Sequence, residues 1–332
     1  MIISRTPFRI SFFGGGTDYP AWYHEHGGAV LATSINKYCY ISCRHLPPFF
    51  DYKSRILYSK IELVKSPDEI QHPSVRAALQ YLKINDGIEI HHDGDLPART
   101  GLGSSSTFTV GLLHSLYALR SRMVTKMQLA RDAIHIEHDV LKESVGAQDQ
   151  VITAHGGLHR IDFSPNDDFS LSPIVLRRDR LVSFQNHCML VFTGFTRTAS
   201  EIAAEQIRRT GENKSALQEM YKMVSTATDI LKGDGDIGDF GRLLHENWLL
   251  KRSLSSRVST SEIDTIYEAG REAGALGGKV LGAGGGGFFL FFARPEEQAS
   301  IRAKLDKFLH VPFRFETLGS QIIHYEPFDQ QG

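Results

Sequence analysis

Residues 96–107 read Leu-Pro-Ala-Arg-Thr-Gly-Leu-Gly-Ser-Ser-Ser-Thr. They lie between a strand-like stretch at 87–92 and a helical pattern at 107–120. Gly101 and Gly103 let the backbone turn tightly and approach a ligand closely. Ser104, Ser105 and Ser106 then offer hydroxyls and amide N–H groups at a helix N-terminus, where the backbone dipole favours an anion. The segment therefore predicts a phosphate-binding loop. It is not a Walker A loop, because no Lys-Ser or Lys-Thr follows the glycines. The same residues would also serve as a plain turn whose serines cap the helix.

Two further glycine-rich strings flank this loop at the ends of the chain. Residues 7–20 read Pro-Phe-Arg-Ile-Ser-Phe-Phe-Gly-Gly-Gly-Thr-Asp-Tyr-Pro, and residues 277–288 read Gly-Gly-Lys-Val-Leu-Gly-Ala-Gly-Gly-Gly-Gly-Phe. In order, spacing and content the three strings resemble the motifs of the GHMP kinases, the galactokinase, homoserine, mevalonate and phosphomevalonate kinase superfamily, over nearly the whole chain. The Phe-Gly-Gly-Gly-Thr-Asp-Tyr-Pro version, with His-Gly-Gly-Ala-Val at 26–30 and Asn-Lys-Tyr-Cys-Tyr-Ile at 36–41, is similar to the branch that phosphorylates D-glycero-D-manno-heptose 7-phosphate. The resemblance implies an α+β fold of two domains. An N-terminal ATP-binding domain with a left-handed βαβ unit is expected over 1–170, and a ferredoxin-like C-terminal domain over 180–330. The site is expected between them.

Composition agrees with a small-molecule enzyme. The chain has 332 residues and a formal net charge of −1, long enough for two domains and without the basic footprint of a nucleic-acid binder. The apolar run at 288–293 is too short to span a bilayer, and the first residues lack the apolar stretch of a signal peptide. Three cysteines supply no disulfide framework, so a cytoplasmic location is expected. Cys39 and Cys43 stand four residues apart on a predicted strand, about 13 Å at ~3.3 Å per residue, too far to chelate one ion. Strands are predicted at 2–13, 28–45, 87–92, 157–163, 187–194, 279–282 and 287–293, with a last one at the C-terminus. Helices are predicted at 107–120, 126–142, 200–209, 213–232, 238–252, 261–273 and 296–308. Strands and helices mix without a regular βαβα alternation, which argues for α+β. Two strings, 233–238 and 282–287, match the dinucleotide fingerprint. The first follows a helix and carries two aspartates, and the second precedes a strand, so neither has the required strand–turn–helix context.

Helix 126–142 carries Ala130, Ala133, Ile134, Val140 and Leu141 on one stripe, with Glu137 in its middle. A carboxylate on an apolar stripe needs a partner or a cation. A buried ion pair would satisfy it. The resemblance implies instead that Glu137 and a loop serine, Ser105 ahead of Ser104, hold Mg²⁺ beside ATP, and Mg²⁺ needs few protein oxygens. The neighbouring His135 and His138, like His91 and His92, form no second ligand set and read as structural or surface residues.

The resemblance further implies that Asp149 accepts or orients the proton of the attacking hydroxyl. Arg9 would keep that carboxylate ionised and stabilise the moving phosphoryl group. Gly15, Gly16, Thr17 and Asp18 would face the sugar. Gly284 and Gly285, in the C-terminal run, would frame it beside the phosphate loop, although that run also reads as a tight β-turn. A distal substrate phosphate calls for an anion site. Arg197, within Thr-Arg-Thr-Ala-Ser at 196–200 before a helix, is the proposed clamp, with Lys37, Arg44, Lys251 and Arg252 as rivals. The expected activity is transfer of the γ-phosphate of ATP to the anomeric hydroxyl, giving a 1,7-bisphosphate for nucleotide-activated heptose and surface polysaccharide. The expected partners are ATP, a small sugar phosphate and, in a homodimer, a second copy of the chain, with neither nucleic acid nor membrane. Alternatives are another anomeric sugar kinase such as one for fucose, a non-catalytic sugar sensor, and an ATP-dependent decarboxylase.

Overall fold

The structure, a computed structural model, describes residues 1–194 and 199–326. Arg197 of the expected clamp lies outside the described residues. The first half runs β1 (Ile2–Phe13), α1 (Pro20–His26), β2 (Gly28–His45), β3 (Ser54–Leu57), β4 (Ile61–Val64), α2 (Pro73–Tyr81) and β5 (Ile88–Gly94). It continues through α3 (Ser104–Leu119), α4 (Lys126–His135), α5 (Gln148–His155), β6 (Leu158–Phe163) and β7 (Phe169–Pro173). The second half runs α6 (Arg178–His187), β8 (Cys188–Phe192), α7 (Ala199–Arg208), α8 (Lys214–Lys232), α9 (Gly238–Ser253) and α10 (Ser261–Glu272). It ends with β9 (Gly277–Val280), β10 (Phe288–Phe292), α11 (Gln298–Lys304), β11 (Leu309–His310), β12 (Phe315–Glu316) and β13 (Gln321–Tyr325).

The architecture is α+β with two sheets. The larger has the order β13-β1-β2-β5-β3-β4, with β6 and β12 also on β2 and β7 on β6. The long β2 serves two neighbours in succession: its Gly28–Thr33 portion pairs with β6 and its Cys39–His45 portion with β5. The smaller sheet, β11-β8-β10-β9, is antiparallel throughout. Its β10 is five consecutive aromatic and leucine residues, all buried, as expected of a strand covered on both faces.

The division expected near 170–180 omits one feature. After the second sheet the chain returns, and β12 and β13 pair with β2 and β1. Residues 315–325 thus belong to the sheet of the first half, and Ser320 bonds both Thr6 and His114 there.

Helix α3 begins at Ser104, three residues earlier than its apolar pattern. Gly103 is its N-cap, in the left-handed conformation. The three serines therefore form the first helical turn, whose N–H groups have no intrahelical acceptor. Helix α4 ends at His135, and residues 136–140 widen into a single π-helical turn. Such turns recur at functional sites. The extra residue breaks the 3.6-residue register on which the stripe was read: Glu137 stays fully buried, whereas Val140 is exposed.

Candidate active site

A cavity of about 380 Å³ opens where the two halves meet. Its lining comes from β1, the loop after it, the N-termini of α3 and α5, residues 143–146, α7, α9, β9 and Gly282–Ala283. The main chains of the two halves come into direct contact there. A Cβ on Gly101 (φ +85°) would stand 2.3 Å from the Leu281 carbonyl oxygen, and one on Gly282 would stand 2.6 Å from the Gly101 Cα. Real Cβ atoms do not approach so closely, so only glycine fits this crossing. Phe288 N–H donates to Thr100 O at 3.0 Å beside it.

Arg9, on β1, reaches across to Asp149 in the first turn of α5. Its Nε and Nη2 donate to Oδ1 and Oδ2, both at 2.7 Å, and its Nη1 donates to Gly101 O at 2.6 Å. The pair is a two-pronged ion pair that also grips the turn at Gly101, a geometry that only a guanidinium supplies. Arg9 is 4% exposed and the Asp149 side chain 20% exposed, so the carboxylate retains access to the cavity.

Glu137 lies beneath the start of α3. Its Oε2 accepts from Ser106 Oγ at 2.8 Å and from the Gln150 side-chain amide. Its Oε1 is buried with no protein partner. Burial pushes its pKa up to about 7, against the hydrogen bonds from Ser106 and its neighbours. A buried, half-satisfied carboxylate beside a hydroxyl and a helix N-terminus suits a hard divalent cation, so the donor set fits Mg²⁺. The serine differs from the expectation. Ser105 is exposed on the first turn, and Ser106 is the one packed on Glu137. Helical spacing explains it, since Ser105 points about 100° away from Ser106.

The first glycine string forms the floor. Gly15, Gly16 and Asp18 line the cavity. Asp18 accepts from Gly16 N–H at 2.9 Å and from Gln148 Nε2 at 2.8 Å. Burial pushes its carboxyl above the usual range, the Gly16 N–H works against that, and Asp149 adds to it. A Cβ at Gly146 would stand 1.8 Å from Asp18 Oδ2, so a larger residue there would displace that carboxylate. Thr17 does not face the cavity. Its hydroxyl is buried, 2.8 Å from Gly14 O and 2.9 Å from Ala29 O, and accepts Ala29 N–H, so it locks the turn. Gly284 and Gly285 also turn away from the cavity: a Cβ on Gly284 would meet Val258, and Gly285 N–H donates to Val258 O. From that run only Gly282 and Ala283 reach the lining.

Several lining residues were not singled out from the sequence. Ser11 Oγ and Gln148 Oε1 are buried without a protein partner, and Lys279 lies buried under the floor. Among the rival anion binders, Arg44 pairs with Glu89 and Arg252 with Asp264, whereas Lys251 lines the cavity. A lysine inside the strand at 277–280, flanked by glycine and valine, is a visible sequence trace of this floor besides Lys251. Among the described residues no cluster of three or more His, Cys, Asp or Glu forms a metal cage, and no helix is long and apolar enough to cross a membrane.

Residues 73–157 match the family model for the GHMP kinases N terminal domain, and residues 215–311 that for GHMP kinases C terminal. The D-glycero-alpha-D-manno-heptose 7-phosphate kinase of Campylobacter jejuni is 27% identical over 325 residues, covering 92% of this chain and 93% of that protein. The bifunctional fucokinase/GDP-fucose pyrophosphorylase of Arabidopsis thaliana is 24% identical over 91% of this chain but only 31% of its own length. A crystal structure of a D-glycero-D-manno-heptose 1-phosphate kinase from Bacteroides thetaiotaomicron superimposes with a TM-score of 0.81 at 23% identity, covering 98% of this chain and all of that one.

Proposed function

The chain belongs to the GHMP kinases, and on that premise we propose that it transfers the γ-phosphate of ATP to the anomeric hydroxyl of D-glycero-D-manno-heptose 7-phosphate, giving the 1,7-bisphosphate. The observation that carries the reading is the Arg9–Asp149 pair set against the first turn of α3 in one cavity. Phosphoryl transfer asks chiefly for positioning and charge neutralisation, and this cavity supplies both. The similarity to the Campylobacter heptose 7-phosphate kinase over almost the full length of both chains supports the sugar.

In this reading the free N–H groups of Ser104, Ser105 and Ser106 receive phosphate oxygens of ATP. Ser106 and Glu137 would hold Mg²⁺, which when bound would neutralise phosphate charge. Asp18, with Ser11 and Gln148 beside it, binds sugar hydroxyls and aims the anomeric one at Asp149. As the new O–P bond forms and the bond to the ADP oxygen breaks, the hydroxyl proton passes to the Asp149 carboxylate. Arg9 keeps that carboxylate in place and offsets charge on the moving group. The reading locates the enzyme in the cytoplasm, with ATP and sugar phosphates, in the supply of activated heptose for surface polysaccharide. Arg197 stays a proposal for the distal phosphate.

The test is ADP release with Mg-ATP against heptose 7-phosphate, free heptose, mannose, fucose, galactose and mevalonate. Turnover confined to heptose 7-phosphate is the expected result. Turnover with free fucose in preference would transfer the assignment to a neutral-sugar kinase, and no turnover with any acceptor would refute the kinase reading.

A further inference from the structure

The cavity is lined by an arginine and two lysines, Arg9, Lys251 and Lys279, besides the exposed Arg99, and among the described residues only Arg9 has a carboxylate partner. Arg9 is committed to Asp149. Lys279, on β9, donates to Ser11 O and Phe12 O, both at 2.9 Å, and so ties β9 under β1. Lys251, on α9, donates to Val280 O at 3.3 Å and to Gly282 O. It is 4% exposed, and no carboxylate among the described residues lies within ion-pair distance of it. An ammonium has three donors. Two of those on Lys251 go to carbonyls, and the third has no protein acceptor. A buried cation without a counter-ion is unfavourable, and an anion entering this cavity would hold Lys251 in its charged form.

Position says which anion. Gly282, whose carbonyl Lys251 holds, is the residue packed on the Cα of Gly101, and Gly101 O accepts from Arg9 Nη1. Arg9 from the N-terminal half and Lys251 from the C-terminal half thus grip one main-chain crossing. It adjoins Asp149, whose Oδ2 a Cβ on Gly103 would approach to 3.1 Å. Under the kinase reading, on which this inference rests, the γ-phosphoryl group passes to the acceptor at this crossing.

We propose that Lys251 is a catalytic residue of the transfer, its ammonium meeting the moving phosphoryl group alongside Arg9. The charge that develops there is then divided between a guanidinium anchored on Asp149 and an ammonium carried by the C-terminal half, and packing of the two halves completes the catalytic centre. Such preorganised charge in a water-poor site is where enzymes gain most of their rate.

The electrostatics supply a second, independent readout. Burial pushes the Lys251 pKa down to about 7, Arg9 adds to that, and Asp18 opposes it. The titratable groups facing it are Arg9 from β1, Asp18 from the loop after β1 and Lys279 from β9, whose own pKa burial pushes well below the usual lysine range. Packed strand β10 is wholly apolar, and no charged group of α8 acts on it. In the free enzyme, then, the cation is lost as pH rises through about 7. Since kcat/KM reports the free enzyme, it falls above that pH. A bound anion favours the protonated form, so kcat falls only at higher pH.

The test uses the full-length enzyme with Mg-ATP and its best acceptor: wild type, Lys251→Met and Lys251→Arg, each checked for folding by its thermal midpoint. The expected result for Lys251→Met is a kcat lower by about 10²–10³-fold, with KM for ATP and for acceptor each within about threefold of wild type. Lys251→Arg is expected to recover part of kcat and to lose the fall of kcat/KM above neutral pH. The wild-type profile needs no variant, so a kcat/KM flat from pH 6 to 9 would overturn the proposal even if Lys251→Met did not fold. A folded Lys251→Met with kcat within threefold of wild type would overturn it too. So would a rise in acceptor KM alone, which would make Lys251 a binder of the acceptor's own phosphate. An inactive wild type would instead refute the kinase reading and this inference with it.

Discussion

Removing either partner of the Arg9–Asp149 pair tests whether this contact has the strength that its burial implies. Asp149→Asn keeps the shape but leaves a guanidinium that is 4% exposed without its counter-ion and with one of its two 2.7 Å hydrogen bonds unmatched. Hydrogen bonds to charged groups contribute about 1.5–3 kcal/mol each, and breaking a buried ion pair costs about 3–5 kcal/mol. The Asp149 side chain is 20% exposed, so water takes up part of the loss. About 3 kcal/mol is the expected destabilisation for Asp149→Asn. A cycle of Arg9→Met, Asp149→Asn and the double variant should show a coupling of about 2–3 kcal/mol. Urea unfolding followed by the fluorescence of Trp22 and Trp248, both buried and one in each half, reads both halves at once. Asp149→Asn should also lower kcat by about 10²–10⁴-fold, the usual contribution of proton transfer by a positioned group. A coupling below about 1 kcal/mol would equate the pair with an exposed one and refute the structural argument. A largely preserved kcat would refute both roles given to Asp149.

Glu137→Gln removes the charge from the fully buried carboxylate under α3; Mg²⁺ should raise the thermal midpoint of the wild type in the presence of ATP but not that of the variant. Gly146→Ala would force a Cβ to 1.8 Å from Asp18 Oδ2. Overpacking of this kind costs about 1–3 kcal/mol, and displacement of Asp18 should raise KM for the acceptor more than KM for ATP; equal effects on both would refute the assignment of Asp18 to the sugar. His114 bridges α3 to Ser320, and burial, then Lys126, pushes its pKa down to about 4. The unfolded chain binds this proton near pH 6.5, so stability is complete above that value and is lost as pH falls toward 4, by roughly 3 kcal/mol. Urea titrations at pH 7 and pH 4.5 should show this loss in the wild type and a smaller one in His114→Asn.

Long strands and sharp turns were legible in the sequence because they rest on local chemistry. The end of β1 follows from its apolar run and the glycines after Phe13, and the bounds of β2 from Gly27 before it and the prolines at 47 and 48 after it. Helix α3 was recognised but begun late, since serine reads as a cap and here three serines follow a left-handed glycine cap to make the first turn. Short helices without a long apolar face were missed. Helix α5 carries Asp149 but has only eight residues, and α6 has a predominantly polar sequence. Glu137 was singled out because a carboxylate interrupted an apolar stripe, and it is buried. Its partner was misjudged because the choice between adjacent serines depends on a helix start that the pattern placed three residues late. Thr17 was misassigned for a related reason: a hydroxyl in a glycine turn serves equally to close the turn or to face a ligand, and its three main-chain contacts show that it closes the turn.

The cationic floor was the least legible part, for a reason that also bears on mechanism. Nothing near Lys251 in the chain distinguishes it from a solvated lysine at the end of an amphipathic helix. Its neighbours Arg252 and Arg257 do pair at the surface, with Asp264 and with Glu205. Lys251 is buried because Val280 O and Gly282 O stand in for water around its ammonium. Those carbonyls are free to do so because the glycine run turns there, leaving β9 to end at Val280. The run also allows the Gly101–Gly282 crossing. One stretch of backbone therefore holds the glycine–serine turn before α3 against the second half and fixes the Lys251 amine beside it. A substitution that separates the two main chains at Gly101 should consequently lower kcat and stability together, whereas Lys251→Met should lower kcat with little effect on the crossing itself.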